Sequence, residues 1–297
     1  MNDRPTRWYH RLYVGMQYLL PHHPLSALMY RATRIRWRPL KDLIIRRVIH
    51  HFGVDMSEAE RPDLDAYASF NGFFTRALRP GARPIAPQED AVACPADGAL
   101  SQLGIIEDGR IFQAKGHDYS LIELLGGNGD WADRLDGGAF ATIYLSPRDY
   151  HRVHMPRAGT LREMVHVPGR LFSVNPVTTS LVPRLFARNE RVVCLFEGDA
   201  GPMAVILVGA IFVGSMDTVW AGQITPSAGR TLSRCYEGSD AVRLAKGEEM
   251  GRFNMGSTVI LLFPPDSVEW DPSLEPGDTL RMGQGIGRVK KGTSASH

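Results

Sequence analysis

The chain has 297 residues, 43% hydrophobic and 22% charged, which suits one large or two small globular domains and excludes a disordered or membrane-integral protein. Three widely spaced cysteines, Cys94, Cys194 and Cys235, form no C-x-x-C pair; this argues against a disulfide framework and a zinc knuckle and implies a reducing compartment. The net charge of +2 hides an asymmetry: residues 1–52 carry ten Arg or Lys against Asp3 and Asp42, so the rest is net acidic and the basic arm calls for an anionic partner.

The arm is apolar as well as basic. Trp8, Tyr9, Leu12, Tyr13, Met16, Tyr18, Leu19 and Leu20 alternate with its first charges, and the spacing predicts short helices over 25–36 and 40–52. Arg46 and Arg47 lie among Leu43, Ile44, Val48 and Phe52, the mixture an interfacial helix on anionic lipid requires. A helical subdomain packed on the core is the plainer alternative. Nucleic acid is not expected, since the apolar residues exceed what phosphate binding needs. The start lacks the apolar run of a signal peptide, and its Arg-rich, acid-poor composition leaves an organellar transit peptide as a lesser alternative.

Acidic residues and Pro62 over 55–65 read as a linker, and 70–76 as a helical anchor before Pro80-Gly81. Strands are predicted at 91–94, 99–106, 110–114 and 139–145, with a short helix over 120–125 that Ser120 caps. The uncharged run 202–216 is shorter than the roughly eighteen residues of a membrane span; it predicts buried strands bent at Gly209 and Gly214. The apolar run 259–263 predicts another buried strand, and 290–297 is a polar tail.

Chemistry concentrates in three places. Gly256-Ser257-Thr258 sets a hydroxyl directly after a glycine, whose missing Cβ tolerates distorted backbone and leaves its carbonyl open to attack. Attack by Ser257 Oγ on the Gly256 carbonyl turns the peptide into an ester; loss of the Ser257 α-proton expels it, and hydrolysis leaves a pyruvoyl group. Alone, Gly-Ser-Thr is a common loop tripeptide. Pro95-Ala96-Asp97-Gly98 by itself reads as a hairpin turn. The run 144–156 holds His151 and His154; with no further ligands at suitable spacing it predicts no metal site, and both rings serve one centre only if the segment bends. Asp97, a histidine and Ser257 suit a triad in which the imidazole deprotonates Ser257 and the carboxylate orients the ring. The hydrolase marker G-x-S-x-G is absent, with Met255 and Val259 at the flanking positions.

Phe70-Asn71-x-Phe73-Phe74-x-Arg76, Pro95-Ala96-Asp97-Gly98, Ala114-Lys115-Gly116-His117, the run 145–156, Leu171-Phe172-Ser173-Val174-Asn175, the run 186–191 and Gly251 through Thr258 together resemble the bacterial pyruvoyl-dependent phosphatidylserine decarboxylases. Met255 replaces a leucine frequent in that family, a swap of similar volume. The resemblance implies conversion of phosphatidylserine to phosphatidylethanolamine and CO2 by a self-cleaving proenzyme. It implies Asp97, His154 and Ser257 as the cleavage triad, Ser257 as the source of the pyruvoyl cofactor, and His151 as a residue of the decarboxylation step. The expected fold is α+β, an N-terminal helical membrane-docking region (1–60) on a mostly antiparallel β core. Residues 61–256 would complete the large subunit and 257–297 the small one, paired as a heterodimer, with a higher oligomer left open. Attachment is expected to be peripheral, on the cytoplasmic side of the cell membrane. A serine hydrolase that leaves its backbone intact and a non-enzymatic lipid-binding module are the rival readings.

Overall fold

In the computed structural model, which describes residues 7–211, 215–225 and 229–290, the apolar run after Ser257 lies in the middle of the largest sheet. Arg4, the Gly214 bend and the tail beyond Lys290 fall outside the described residues. Strand Ser257–Phe263 is buried at every position. It pairs antiparallel with Ala139–Leu145 on one side and Gly201–Val208 on the other. A strand covered on both faces has no reason to alternate polar and apolar residues, which is why it reads as a continuous hydrophobic run. Gly98–Ile105 and Thr279–Leu280 extend the sheet beyond Ala139–Leu145, while Arg191–Gly198, Gly159–Val167 and Leu232–Cys235 extend it beyond Gly201–Val208. Val242–Leu244 also pairs with Gly159–Val167.

A smaller antiparallel sheet is ordered Gly222–Gln223, Met216–Thr218, Glu249–Phe253 and Arg152–His154. The strands predicted over 202–216 fall in two sheets: Gly201–Val208 in the large one and Met216–Thr218 in the small one. The predicted short helix forms as Leu121–Leu124, with the Ser120 hydroxyl accepting from the Glu123 N–H.

Three N-terminal helices, α1 (Trp8–Leu19), α2 (His22–Ala32) and α3 (Arg38–Phe52), precede the short α4 (Phe70–Phe74). Helix α2 starts earlier than predicted because Pro24 falls within its first turn, where a missing N–H breaks no helical bond. Gly53 ends α3 in the left-handed conformation at φ 68°. One face of α1 is seated on the core through Val14 and Gln17, whose side-chain carbonyl accepts from the Ser173 N–H at 2.8 Å. Its other face carries exposed Trp8, Leu12, Met16 and Leu19, at helical spacing. Ile45 of α3 joins Val54, Tyr67, Phe70, Phe73 and Phe74 in a second hydrophobic cluster. The helices are thus packed on the body and apolar on the outside at once. The predicted linker over 55–65 is instead pinned: the Glu60 N–H donates to Ala77 O, and Glu58 pairs with Arg83 at 2.7 Å and Arg281 at 3.0 Å. Glu58 and Asp65, which pairs with Arg38, are ion-pair partners, so the acidic charge here does not signal free solvation throughout.

Candidate active site

Strand register gathers the candidate residues at one end of the large sheet. Ala99 lies opposite Tyr144, Tyr144 opposite Thr258, and Leu145 opposite Ser257. Asp97, the loop after Leu145 and Ser257 consequently meet at the ends of three neighbouring strands. Gly98 permits this closeness, since a Cβ there would lie 2.3 Å from the Tyr144 carbonyl oxygen.

Ser257 is fully buried and its Oγ has no hydrogen-bond partner. Gly256 lies outside the left-handed region, and a Cβ on it would make an ordinary 3.5 Å contact with Leu145 O. The resting backbone therefore does not by itself require glycine; what its missing Cβ offers is less cover over the carbonyl that Ser257 follows. The turn is held from one side by Asn254. Its Nδ2 donates to Ser215 Oγ at 2.6 Å and Asp217 Oδ1 at 3.0 Å, and its Oδ1 accepts from Asn71 Nδ2 at 2.9 Å. Arg34 of the helical arm donates to the same Ser215 hydroxyl at 3.2 Å.

The histidines come from the small sheet. Arg152 lies opposite Arg252 and His154 opposite Glu249, while the Phe253 N–H donates to His151 O at 3.0 Å. His151 thus sits at the end of this ladder nearer the Gly256–Ser257 turn, and His154 at the far end, its N–H donating to Pro95 O at 2.8 Å. The His151 ring is fully buried against Phe74, with centroids 4.1 Å apart. Its Nδ1 donates to Asp149 O at 2.8 Å, which leaves a partnerless lone pair on Nε2. Burial, helped by the nearby Arg76 charge, pulls its pKa down to about 3, so the ring is neutral at physiological pH. In His154, Nδ1 donates to Gly247 O at 2.8 Å and Nε2 accepts from the Tyr150 hydroxyl at 3.1 Å. Burial lowers its pKa too, against the opposing pull of the Gly247 bond.

Asp97 is buried, but its oxygens are not on a histidine. Arg83 donates to both, from Nε at 2.9 Å and from Nη2 at 2.6 Å, and the Met282 N–H adds a third bond at 2.8 Å. The expected hydrogen-bonded relay from Asp97 through His154 to Ser257 is therefore not assembled. A buried carboxylate gains more from a bidentate guanidinium than from a neutral imidazole. Asp97 and Glu58, both accepting from Arg83, in turn raise its pKa, Asp97 most strongly. Sequence reasoning missed Arg83, Glu58, Tyr150 and Asn254. Asn71 and Asn254 stand inside noted motifs, yet nothing local shows that they bond to each other.

The decarboxylase signature extends over most of the chain. The family model described as phosphatidylserine decarboxylase matches residues 70–288, and one described as PSD matches 12–53. The chain is 57% identical to the phosphatidylserine decarboxylase proenzyme of Ectopseudomonas mendocina, over 94% of this chain and 99% of that one. It is 56% identical to the Bordetella bronchiseptica proenzyme, over 92% and 93% of the two chains. The Marinobacter nauticus proenzyme is 53% identical, over 94% and 98%.

Proposed function

Since the chain belongs to the phosphatidylserine decarboxylase family, we propose that it is made as a proenzyme, cuts itself between Gly256 and Ser257, and then converts phosphatidylserine to phosphatidylethanolamine and CO2. The observation that carries the proposal is the buried, partnerless Ser257 hydroxyl directly after the Gly256 carbonyl. Leaving such a group unsatisfied costs about 1–3 kcal/mol, which suits an atom kept for chemistry. In the proposed maturation, Oγ attacks the Gly256 carbonyl and the peptide bond gives way to an ester. Removal of the Ser257 α-proton expels the Gly256 carboxylate, and water then replaces the nitrogen, which leaves as ammonia. Strand Ser257–Phe263 stays bonded to neighbours on both sides, so the fragments would remain a heterodimer.

The pyruvoyl group so formed would supply the electron sink that CO2 loss from an amino acid requires. Asp97 and His154 are assigned to maturation, with His154 relieving Ser257 of its proton once the Tyr150 contact gives way. His151, neutral with a free Nε2 lone pair, is assigned to the decarboxylation step, where Nε2 takes a proton from the substrate ammonium and returns it to Cα after CO2 has left. One observation favours the reverse division: His151, not His154, lies across the ladder from Phe253 beside the reacting turn. His151→Ala and His154→Ala separate the two, since the variant that accumulates precursor has lost the cleavage base.

The exposed apolar face of α1, with exposed Leu28, Trp37 and Leu43 and the arginines of the arm, supports peripheral docking on anionic lipid at the cytoplasmic face of the cell membrane. Among the described residues no helix is long and apolar enough to cross a bilayer. Intact-mass measurement tests the central claim. Wild type should appear as 1–256 and 257–297, the smaller blocked at its N-terminus, and Ser257→Ala as one chain. A wild type that decarboxylates while remaining at 32.9 kDa overturns the mechanism. A serine hydrolase or a simple lipid-binding module would likewise stay whole.

A further inference from the structure

Among the described residues, the arginines with buried side chains other than Arg76 are fully engaged. Arg191 is 2% exposed and spends its donors on the carbonyls of Leu124, Ala187 and Asn189 at 2.7–2.9 Å, with Glu123 O as a fourth acceptor. Arg83 is clamped between Asp97 and Glu58. Arg76 differs. It is 5% exposed, its Nε has no partner, and its Nη2 reaches only Arg148 O at 3.4 Å. Among the described residues it forms no ion pair; its guanidinium lies 5.4 Å from the Phe73 ring centroid. A buried cation with open donors is costly unless an anion completes it.

Arg76 lines a cavity of about 290 Å³ together with Arg61, Arg152 and Arg252, and Glu60 is the acid among the lining residues. Arg152 and Arg252 share Glu249, at 2.8 and 3.8 Å, so the wall retains a positive excess. Several of its lining residues are chain neighbours of the candidate site. Arg152 follows His151, Arg252 is four residues before Gly256, and Thr75, whose carbonyl accepts from Arg152 Nε at 3.0 Å, follows the Phe74 that packs on His151.

We propose that Arg76, flanked by Arg152 and Arg252, is the subsite for the phosphodiester of the lipid headgroup, an assignment that rests on the decarboxylase reading above. The substrate offers two anions, and chemistry chooses between them. The carboxylate must lose its charge as CO2 departs, so a buried guanidinium on it would stabilise the ground state and slow the reaction. The phosphodiester keeps its charge from substrate to product, and the planar fork of arginine matches its paired oxygens. Arg76 therefore contributes binding and register, while the reacting carbons lie toward His151 and Ser257.

The test uses the full-length Ser257→Ala precursor, titrated by calorimetry with glycerophosphoethanolamine, which has the phosphodiester and no carboxylate, and separately with serine, which has the reverse. Arg76→Gln in this background should weaken the phosphodiester probe by about tenfold or more and leave serine unchanged. Arg252→Gln should weaken it less. In the cleaved enzyme, Arg76→Gln should raise KM for a short-chain phosphatidylserine by a similar factor with kcat within about threefold. Unchanged affinity for the phosphodiester probe overturns the proposal, and a loss confined to serine reassigns Arg76 to the carboxylate. If Arg76→Gln misfolds, Arg76→Lys, which keeps the charge and loses the fork, carries the same comparison. Arg76-dependent probe binding in a protein that neither cleaves nor decarboxylates would sink the reaction reading alone. Normal turnover with KM indifferent to Arg76 would sink the subsite alone.

Discussion

The ring of His151 links burial to acid sensitivity. Its pKa is about 3 in the fold against an ordinary 6.5, so below pH 6.5 the unfolded chain takes up a proton that the folded chain refuses until about pH 3. Its contribution is complete above pH 6.5 and declines toward pH 3, by at most about 1.4 kcal/mol per pH unit. His154, also lowered by burial, acts in the same direction. Asp149, whose pKa burial raises, opposes them by binding a proton earlier in the fold than in the unfolded chain. Thermal melts at pH 7 and pH 5 should show a drop in Tm that is smaller in His151→Gln; equal drops would refute this account. Asp97 carries a second prediction. Asp97→Asn leaves buried Arg83 with Glu58 as its one counter-charge among the described residues, and Arg83→Gln removes the cation beside Asp97, which keeps the Met282 N–H. Each should cost about 3–5 kcal/mol in urea unfolding and leave more uncleaved precursor. Cleavage at the wild-type rate in Arg83→Gln would mean that the clamp is irrelevant to the site.

Among the elements, α3 and α4 connect the N-terminal arm to the candidate site by direct packing. Ile45 is fully buried in the cluster that contains Phe74, and Phe74 packs on His151. Met255, the residue before Gly256, packs against both this cluster and the main core. Ile45→Ala should cost about 2–5 kcal/mol and slow the appearance of the small fragment on a denaturing gel. Deleting residues 1–52 should be more severe: it strips the cover from Phe70 and Phe73 and removes the Arg34 contact to Ser215. A truncated protein that matures normally would show that the arm serves docking alone.

On the scale of the whole molecule, the helical arm places its apolar residues on the surface while the sheets hold the reacting groups inside. Trp8 is 76% exposed and Leu19 88%, on the face of α1 opposite Val14 and Gln17. Replacing both by serine should reduce sedimentation with phosphatidylserine-containing vesicles several-fold, without slowing self-cleavage. Salt should weaken binding of the unaltered protein, because screening at 0.1 M acts over about 10 Å and the arm's arginines are largely exposed. Undiminished vesicle binding by the double variant would rule out this face as the contact.

Local pattern was enough for much of this protein. Continuous apolar runs marked Ala139–Leu145 and Ser257–Phe263 as buried strands, because a strand covered on both faces must be apolar throughout. The mixture of arginine and apolar residues predicted the helices of the arm, and the motif set singled out Asp97, His151, His154 and Ser257 as candidates whose roles are proposals. Partners are another matter. Whether Asp97 binds His154 or Arg83, or whether His151 or His154 lies nearer the Gly256–Ser257 turn, depends on strand register and on contacts between distant residues. Arg83 and Asp97 are fourteen positions apart, Asn71 and Asn254 are 183. Nor does sequence distinguish Arg76 from Arg191, since an arginine's state depends on how many acceptors the fold brings within reach. Only tertiary structure decides that, because burial removes water as the default partner and leaves each polar group with whatever the packing supplies.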